Sequence, residues 1–123
     1  MKVSFDFDDC LEDNKFVQTI CKVFLSSNNE VFILTARDSN SKNQDVWKLV
    51  DKFKIEKSNV IMTNGDEKLN YILKNKIDFH FDDSADEIIK INQYFKDINK
   101  TQPGILVNFD SEELSFLLNW GLD

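Results

Sequence analysis

Three features that mark large classes of protein are missing from this 123-residue sequence. No apolar run approaches the roughly 20 residues that a membrane-spanning helix needs. The amino end shows no signal-peptide pattern and leads directly into strand-like residues. The two cysteines, Cys10 and Cys21, form no C-x-x-C pair, so neither a zinc site nor a disulfide is favoured. We therefore expect a cytoplasmic protein with free thiols and no membrane association.

Positive charge and histidine are also scarce. Fifteen Lys and Arg stand against 22 Asp and Glu, and the resulting net charge of −7 argues against broad attraction to nucleic acid. The single histidine, His80, alternates with Phe79 and Phe81. This pattern predicts a hydrogen-bonded histidine in the core rather than a catalytic one.

Apolar residues, in contrast, are plentiful. A hydrophobic content of 41%, with eleven Phe, indicates a globular protein, and the length fits one domain over residues 1–123. Strand-like segments alternate with amphipathic helical ones, which predicts the α/β class, with a parallel five-stranded sheet in a three-layer sandwich. The predicted strands are KVSFDF, EVFILT, NVIMT, IDFHF and GILVNF. The predicted helices bury Phe16, Ile20, Val23 and Phe24; Val46, Leu49, Val50 and Phe53; Leu69, Ile72 and Leu73; Ile88, Ile91 and Phe95; and Leu114, Leu117 and Leu118.

Polar residues follow several of the predicted strands. Ligands of parallel sheets gather at the carboxyl ends of the strands, so residues at these ends are expected to form one site. The set is Asp6, Asp8, Thr35, Arg37, Asp82 and Asp83, with Lys68 near the start of the helix that precedes the fourth strand. Thr63, Asn64 and Asp110 follow the remaining strands.

The stretch SFDFDDCL places three carboxylates, those of Asp6, Asp8 and Asp9, directly behind a buried strand. Like charges next to a core repel one another, and a bound cation is the simplest way to offset that repulsion. Asp6 and Asp82, with the backbone carbonyl of Asp8 and with Asp83 beside them, offer the hard oxygen ligands that Mg²⁺ prefers. The sequence therefore predicts a magnesium site.

The same residues fill the roles that phosphoryl transfer requires. Asp6 can attack phosphorus and form an aspartyl-phosphate. Asp8 can protonate the leaving oxygen and then deprotonate the water that hydrolyses the intermediate. The hydroxyl of Thr35 and the ammonium of Lys68 can stabilise the transferring phosphoryl group.

These motifs resemble those of the haloacid dehalogenase-like (HAD) superfamily of aspartate-nucleophile phosphatases. SFDFDDCL is similar to the first motif, apolar residues followed by DxDGT, and VFILTAR to the second, a strand closed by Thr or Ser. The third and fourth motifs are matched by Lys68 in NGDEKLNYIL and by the acids of FHFDDS. All four occur in order and span most of the chain. The resemblance implies a Rossmannoid sheet of order 5-4-1-2-3, with Asp82 beside Asp6, and Mg²⁺-dependent hydrolysis of a phosphomonoester.

The chain departs from the family pattern in two respects. Cys10 replaces the Thr of the first motif, and we expect it to be a buried thiol without a catalytic role. The segments between the motifs leave no room for a cap domain, so the substrate is expected to be large or covered by a partner: a nucleotide, a polynucleotide end or a phosphoprotein. The third-motif lysine has other candidates in Lys54, Lys57, Lys74 and Lys76.

Two further points stay open at the level of sequence. Arg37 could grip the substrate at the rim of the site, or could be a surface arginine paired with Asp38 or another neighbour. The protein could also be a non-catalytic or phospho-accepting module. A receiver-type domain is disfavoured because its acceptor Asp follows the third strand, where this chain has Thr63.

Overall fold

The structure, a computed structural model, describes residues 1–107. Within this range strands and helices alternate: β1 (Lys2–Phe5), α1 (Lys15–Leu25), β2 (Glu30–Thr35), α2 (Gln44–Phe53), β3 (Val60–Met62), α3 (Lys68–Asn75), β4 (Phe79–Asp82), α4 (Ala85–Asp97) and β5 (Gly104–Leu106). A 3-10 helix occupies Lys57–Asn59, and Phe7–Leu11 forms a turn in which Asp8 and Asp9 have non-helical backbone angles. The predicted final helix and Asp110 lie outside the described residues. None of the helices in residues 1–107 is long and apolar enough to cross a membrane.

The five strands form one parallel sheet of order β3-β2-β1-β4-β5. The α/β class and the strand order are therefore confirmed. Phe5 lies opposite Ile33 of β2 on one side and opposite Phe81 of β4 on the other. The carboxyl ends of β1, β2 and β4 consequently meet at the same edge of the sheet.

Alternate residues of β2 contribute to two different hydrophobic clusters. Val31 and Ile33 belong to one cluster, together with buried residues of α1 and α2. Phe32 and Leu34 belong to the other, together with Ile72 of α3 and Ile91 of α4. Because successive side chains of a strand point to opposite faces, these two clusters lie against the two faces of β2.

Helix α1 buries a different stripe from the predicted one. Phe16 and Val23 are 43% and 60% exposed, so their assignment to the core is wrong, and Leu73 of α3 is likewise 40% exposed. The buried residues of α1 are Val17 and Cys21. They are spaced as in the predicted stripe but begin one residue later, at Val17 instead of Phe16. Because both stripes are apolar, the sequence pattern did not decide which of them faces the core.

Strand β5 at the end of the sheet is paired on its outer side by a side chain of α4. The Asn92 amide donates to the carbonyl of Gly104 at 3.1 Å, and the Gly104 N–H donates to Asn92 Oδ1 at 2.7 Å. A Cβ atom at position 104 would lie 2.8 Å from that same oxygen. A larger residue at this position would therefore have to displace the Asn92 side chain and disturb the pairing.

The turn after β1 brings the acidic residues back over the sheet. The Asp6 N–H donates to the Phe81 carbonyl at 2.8 Å, which extends the β1–β4 pairing by one residue. The Leu11 N–H returns to the Asp6 carbonyl at 3.1 Å. Asp9 occupies the left-handed region at φ 54°, a conformation that Asp tolerates better than most residues. This local geometry holds Asp6 at the sheet edge while Asp8 and Asp9 lie further along the turn.

Candidate functional site

A buried lysine bridges the acidic residues that follow β1 and end β4. Lys68 Nζ lies 2.8 Å from Asp6 Oδ1 and 2.7 Å from Asp82 Oδ2. Asp6, Lys68 and Asp82 are 7%, 4% and 0% exposed. Helix α3 begins at Lys68, so its first residue points to the carboxyl edge of the sheet. The other lysines considered for this position are exposed: Lys54, Lys57, Lys74 and Lys76.

Asp83 adds a third carboxylate to this cluster. One carboxylate oxygen from each of Asp6, Asp82 and Asp83 lies within 4.8 Å of the others. When all three are ionised they carry three negative charges against the single positive charge of Lys68. The cluster therefore has a deficit of two positive charges, and its oxygen donors fit a hard dication such as Mg²⁺.

Burial forces the acids of this cluster into different protonation states. Desolvation raises the pKa of Asp6 to about 8, with help from Asp82 and Asp83 and against the opposing charge of Lys68. Desolvation also raises the pKa of Asp83. For Asp82 desolvation is outweighed by the hydrogen bond from His80 and by Lys68, which hold its pKa well below the usual range. Without a cation, Asp6 thus keeps a proton at neutral pH while Asp82 is ionised.

A buried hydrogen-bond chain supports Asp82 from beneath. His80 Nε2 lies 2.8 Å from Asp82 Oδ2, and His80 Nδ1 lies 2.7 Å from Ser4 Oγ. Ser4 and His80 are both fully buried, which confirms the predicted core histidine. Burial lowers the pKa of His80 in spite of Asp82. The imidazole is therefore neutral, with Nε2–H donating to Asp82 and Nδ1 accepting from the Ser4 hydroxyl.

Ser4 was not singled out from the sequence, although a signal for it existed. It lies opposite His80 in the β1–β4 register. Given neighbouring parallel strands, a serine between Val3 and Phe5 and a histidine between two phenylalanines are matched polar positions on one face of the sheet.

A second ion cluster lies on the rim, where Arg37 bridges Asp8 and Asp45. The guanidinium donates to Asp8 through Nε at 3.0 Å and Nη2 at 2.7 Å, and to Asp45 through Nη1 at 2.6 Å and Nη2 at 2.8 Å. Its remaining N–H donates to Asn43 Oδ1 at 3.4 Å, and its Cζ lies 4.9 Å from the ring centroid of Phe7. The hydrogen bonds that Arg37 donates to Asp8, and then those to Asp45, raise the Arg37 pKa. Every donor of the guanidinium is thus already used.

The rim cluster gives two predicted site residues, Arg37 and Asp8, partners that the sequence did not predict. Asp38 is not the partner of Arg37; Asp8 and Asp45 are. Asp45 was missed because no sequence pattern links the first turn of α2 to the loop after β2. The carboxylate of Asp8 is held by Arg37 and is not part of the three-carboxylate cluster.

Thr35 lies where the second motif placed it, at the buried end of β2. Its Oγ1 accepts from the Arg37 N–H at 3.3 Å, and its carbonyl accepts from the Thr63 N–H at 2.9 Å. Within residues 1–107 the Thr35 hydroxyl donates to no acceptor, and the buried Oγ1 of Thr63 has no partner. The Thr35 hydroxyl proton is therefore available to a bound group.

The two thiols are free and buried among the described residues, as predicted. Burial raises the pKa of Cys10 far above its usual value and that of Cys21 to about 12. Cys10 Sγ lies 3.8 Å from the Phe81 carbonyl. Neither thiol is suited to nucleophilic chemistry.

Comparison with known proteins leaves this geometry as the basis for a functional argument. No family model matches the chain, and no curated protein or solved structure matches it. The chemistry of the site must therefore be argued from its own residues.

Proposed function

We propose that the protein is a Mg²⁺-dependent phosphomonoester hydrolase that works through an aspartyl-phosphate on Asp6, and that it is a HAD-type phosphatase without a cap. The observation that carries the proposal is the Lys68 bridge between Asp6 and Asp82 at the adjacent carboxyl ends of β1 and β4. This bridge joins three of the four motifs in one buried cluster.

The carboxylates of Asp6, Asp82 and Asp83, with the backbone carbonyl of Asp8, are the groups that would hold the magnesium ion. When bound, Mg²⁺ supplies the two positive charges that the cluster lacks and neutralises charge on the phosphoryl oxygens. Its binding requires Asp6 to lose the proton that burial favours.

In the first chemical step the ionised Asp6 carboxylate attacks phosphorus. A bond forms between a carboxylate oxygen and phosphorus, and the ester bond between phosphorus and the leaving oxygen breaks. Asp8 must first exchange its bonds to Arg37 for a proton from solvent; it then gives that proton to the leaving oxygen, which departs as an alcohol. The Lys68 ammonium and the Thr35 hydroxyl donate hydrogen bonds that stabilise the negative charge of the transferring phosphoryl group.

In the second step water attacks the phosphorus of the aspartyl-phosphate. Asp8, now ionised, takes a proton from this water. The bond between phosphorus and the Asp6 oxygen breaks, inorganic phosphate leaves, and Asp6 and Asp8 return to their starting states.

A three-layer sandwich is the fold we propose around this chemistry, and the two hydrophobic clusters on β2 support it. Within residues 1–107 each pair of successive strands is joined through a single long helix. These short connections support an enzyme without a cap domain, with a nucleotide, a polynucleotide end or a phosphoprotein as its substrate. If Arg37 binds that substrate, it must exchange its bonds to Asp8 or Asp45 for bonds to the ligand.

Phosphate release from an aryl phosphate tests the proposal directly. We expect the wild type to turn over with Mg²⁺ and to stop when the metal is chelated. Asp6→Asn is expected to abolish turnover, and Asp51→Asn, which alters an exposed acid on α2, is the matched control. Activity that survives in Asp6→Asn would remove Asp6 as the nucleophile.

A phospho-accepting module is the second candidate, and the Asp8–Arg37 contact favours it. The residues of the first step are assembled around Lys68, whereas the carboxylate needed for hydrolysis is held by two bonds to Arg37. Such a module would retain one phosphoryl group per chain and release none. Mass spectrometry after incubation with acetyl phosphate and Mg²⁺ separates this outcome from both turnover and simple Mg²⁺ binding.

A further inference from the structure

We infer that His80, itself held by Ser4, is a positioning residue that determines which carboxylate oxygen of Asp82 faces the cation. This inference rests on the proposed magnesium site, and it adds that two buried residues of the sheet orient one of the metal ligands.

The two oxygens of Asp82 have unequal surroundings. Oδ2 accepts from both His80 Nε2 at 2.8 Å and Lys68 Nζ at 2.7 Å. Oδ1 accepts from the Ser84 backbone N–H at 3.0 Å. A carboxylate oxygen has two lone pairs in its plane, so Oδ2 is fully used while Oδ1 keeps one free. Asp82 therefore presents Oδ1 as its metal ligand.

Asp6 is likewise bound to Lys68 through one of its two oxygens. Its Oδ1 accepts from Lys68, which leaves its Oδ2 for a cation or a phosphorus atom. Lys68 thus orients both carboxylates, but a flexible ammonium acts as a point donor. The rigid imidazole on Oδ2, together with the Ser84 N–H on Oδ1, restrains Asp82 from rotating about its side-chain bond.

The location of the Ser4–His80 pair argues against a purely space-filling role. Both side chains are fully buried and face each other across neighbouring strands, and the residues on either side of each are apolar: Val3 and Phe5, and Phe79 and Phe81. Burying a hydroxyl and an imidazole costs free energy that an apolar pair of similar volume would not. Their hydrogen bonds form one chain that leads to Asp82. The polar pair therefore acts on the carboxylate.

Magnesium affinity measured by isothermal titration calorimetry on the metal-free protein tests this role. We expect His80→Phe to weaken Mg²⁺ binding about 10- to 100-fold, since groups that orient metal ligands typically have effects of this size. His80→Gln retains an N–H near the position of Nε2 and should stay within about 3-fold of wild type, while Ser4→Ala should weaken binding about 3- to 10-fold. Val3→Ala is the control: it opens a cavity on the other face of β1 and lowers the melting temperature without changing the dissociation constant.

A measurement without metal provides a second readout. In wild-type protein the Nε2–H proton should be protected from exchange and give a downfield NMR signal, because it is buried and bonded to a carboxylate. Asp82→Asn should shift that signal upfield, and Val3→Ala should leave it in place.

The outcomes separate this inference from the proposed function. If wild type binds Mg²⁺ and His80→Phe binds it equally well, the positioning role is wrong and the phosphatase proposal stands. If wild type binds no Mg²⁺, the metal site itself is wrong, and the inference is overturned with it. If His80→Phe does not fold, Ser4→Ala decides, and an unchanged dissociation constant overturns the inference.

Discussion

Two clusters at the carboxyl edge of the sheet have the same composition and different surroundings. In each, one cation bridges two carboxylates: Lys68 between Asp6 and Asp82 in the core, and Arg37 between Asp8 and Asp45 on the rim. The core side chains are 0–10% exposed and the rim side chains 23–48%. Water screens the rim, so its charges need little further compensation. The core cluster lacks this screening and has a third carboxylate, that of Asp83, so its deficit of two positive charges makes it the candidate metal site.

Removal of the buried cation, Lys68, is expected to have the largest effect on stability. Lys68→Met should lower the free energy of unfolding by about 3–5 kcal/mol at neutral pH, because it removes the positive charge beside the buried, ionised Asp82. Urea denaturation measures the change. Lys74→Met, on the exposed side of the same helix, should stay within about 0.5 kcal/mol of wild type. Equal effects of the two substitutions would mean that the core cluster is as well solvated as the rim.

A pH series of the metal-free protein sharpens the contrast. The pKa of Asp6 rises from 3.8 to about 8 on folding, so the folded state binds a proton more tightly than the unfolded state. The stabilisation is complete below pH 3.8 and is lost as the pH rises to about 8. Asp82, whose pKa is lowered, contributes with the opposite sign only at the acid end.

The melting temperature should therefore fall as the pH rises across this window, and Asp6→Asn should flatten the curve. Differential scanning calorimetry in the presence of a chelator measures it. A melting temperature that rises steadily up to pH 8 in wild type would contradict the assignment of a buried, protonated Asp6.

Magnesium binding should stabilise the protein through the core cluster and not through the rim cluster, and the size of the stabilisation depends on the Mg²⁺ concentration. At a free concentration of about 100 times its dissociation constant, a ligand of the folded state adds about 2.7 kcal/mol. We expect Mg²⁺ to raise the melting temperature of wild type and of Asp45→Asn equally, and that of Asp82→Asn by less. Equal shifts in all three proteins would remove Asp82 from the metal site.

The smallest effect is expected on the rim itself. Asp45→Asn removes one carboxylate from Arg37 and should change stability by only about 0.2–1 kcal/mol at low salt. In about 1 M NaCl the difference should shrink further, because a Debye length of about 3 Å screens exposed charges. A loss that is large and independent of salt would place the rim cluster among the buried ones.

The architecture and the core of the site were predictable because they depend on local patterns. Glu30–Thr35 forms a strand with the predicted bounds, and the other described strands overlap their predicted segments. Apolar runs of this kind have few alternatives once they are flanked by amphipathic helices. The meeting of Asp6 with Asp82 followed from the strand order that the HAD resemblance implied, which the sheet confirms.

The partners of individual side chains were not predictable in the same way. Arg37 reaches Asp45 through a loop whose path no periodicity describes, and Ser4 meets His80 only in one particular strand register. The buried face of α1 was misassigned by one residue, because Phe16 and Val17 both begin an apolar stripe. Such features depend on tertiary packing, which selects among local alternatives of nearly equal energy.

The pairing of Asn92 with Gly104 has a consequence for behaviour in concentrated solution. A terminal strand with free backbone groups is a template on which a second polypeptide can add itself, and growth of that kind leads to fibrils. Here a side-chain amide supplies one donor and one acceptor to that strand, as an additional strand one residue long would do. Within residues 1–107 it thereby occupies these two backbone groups, which an added strand would otherwise use.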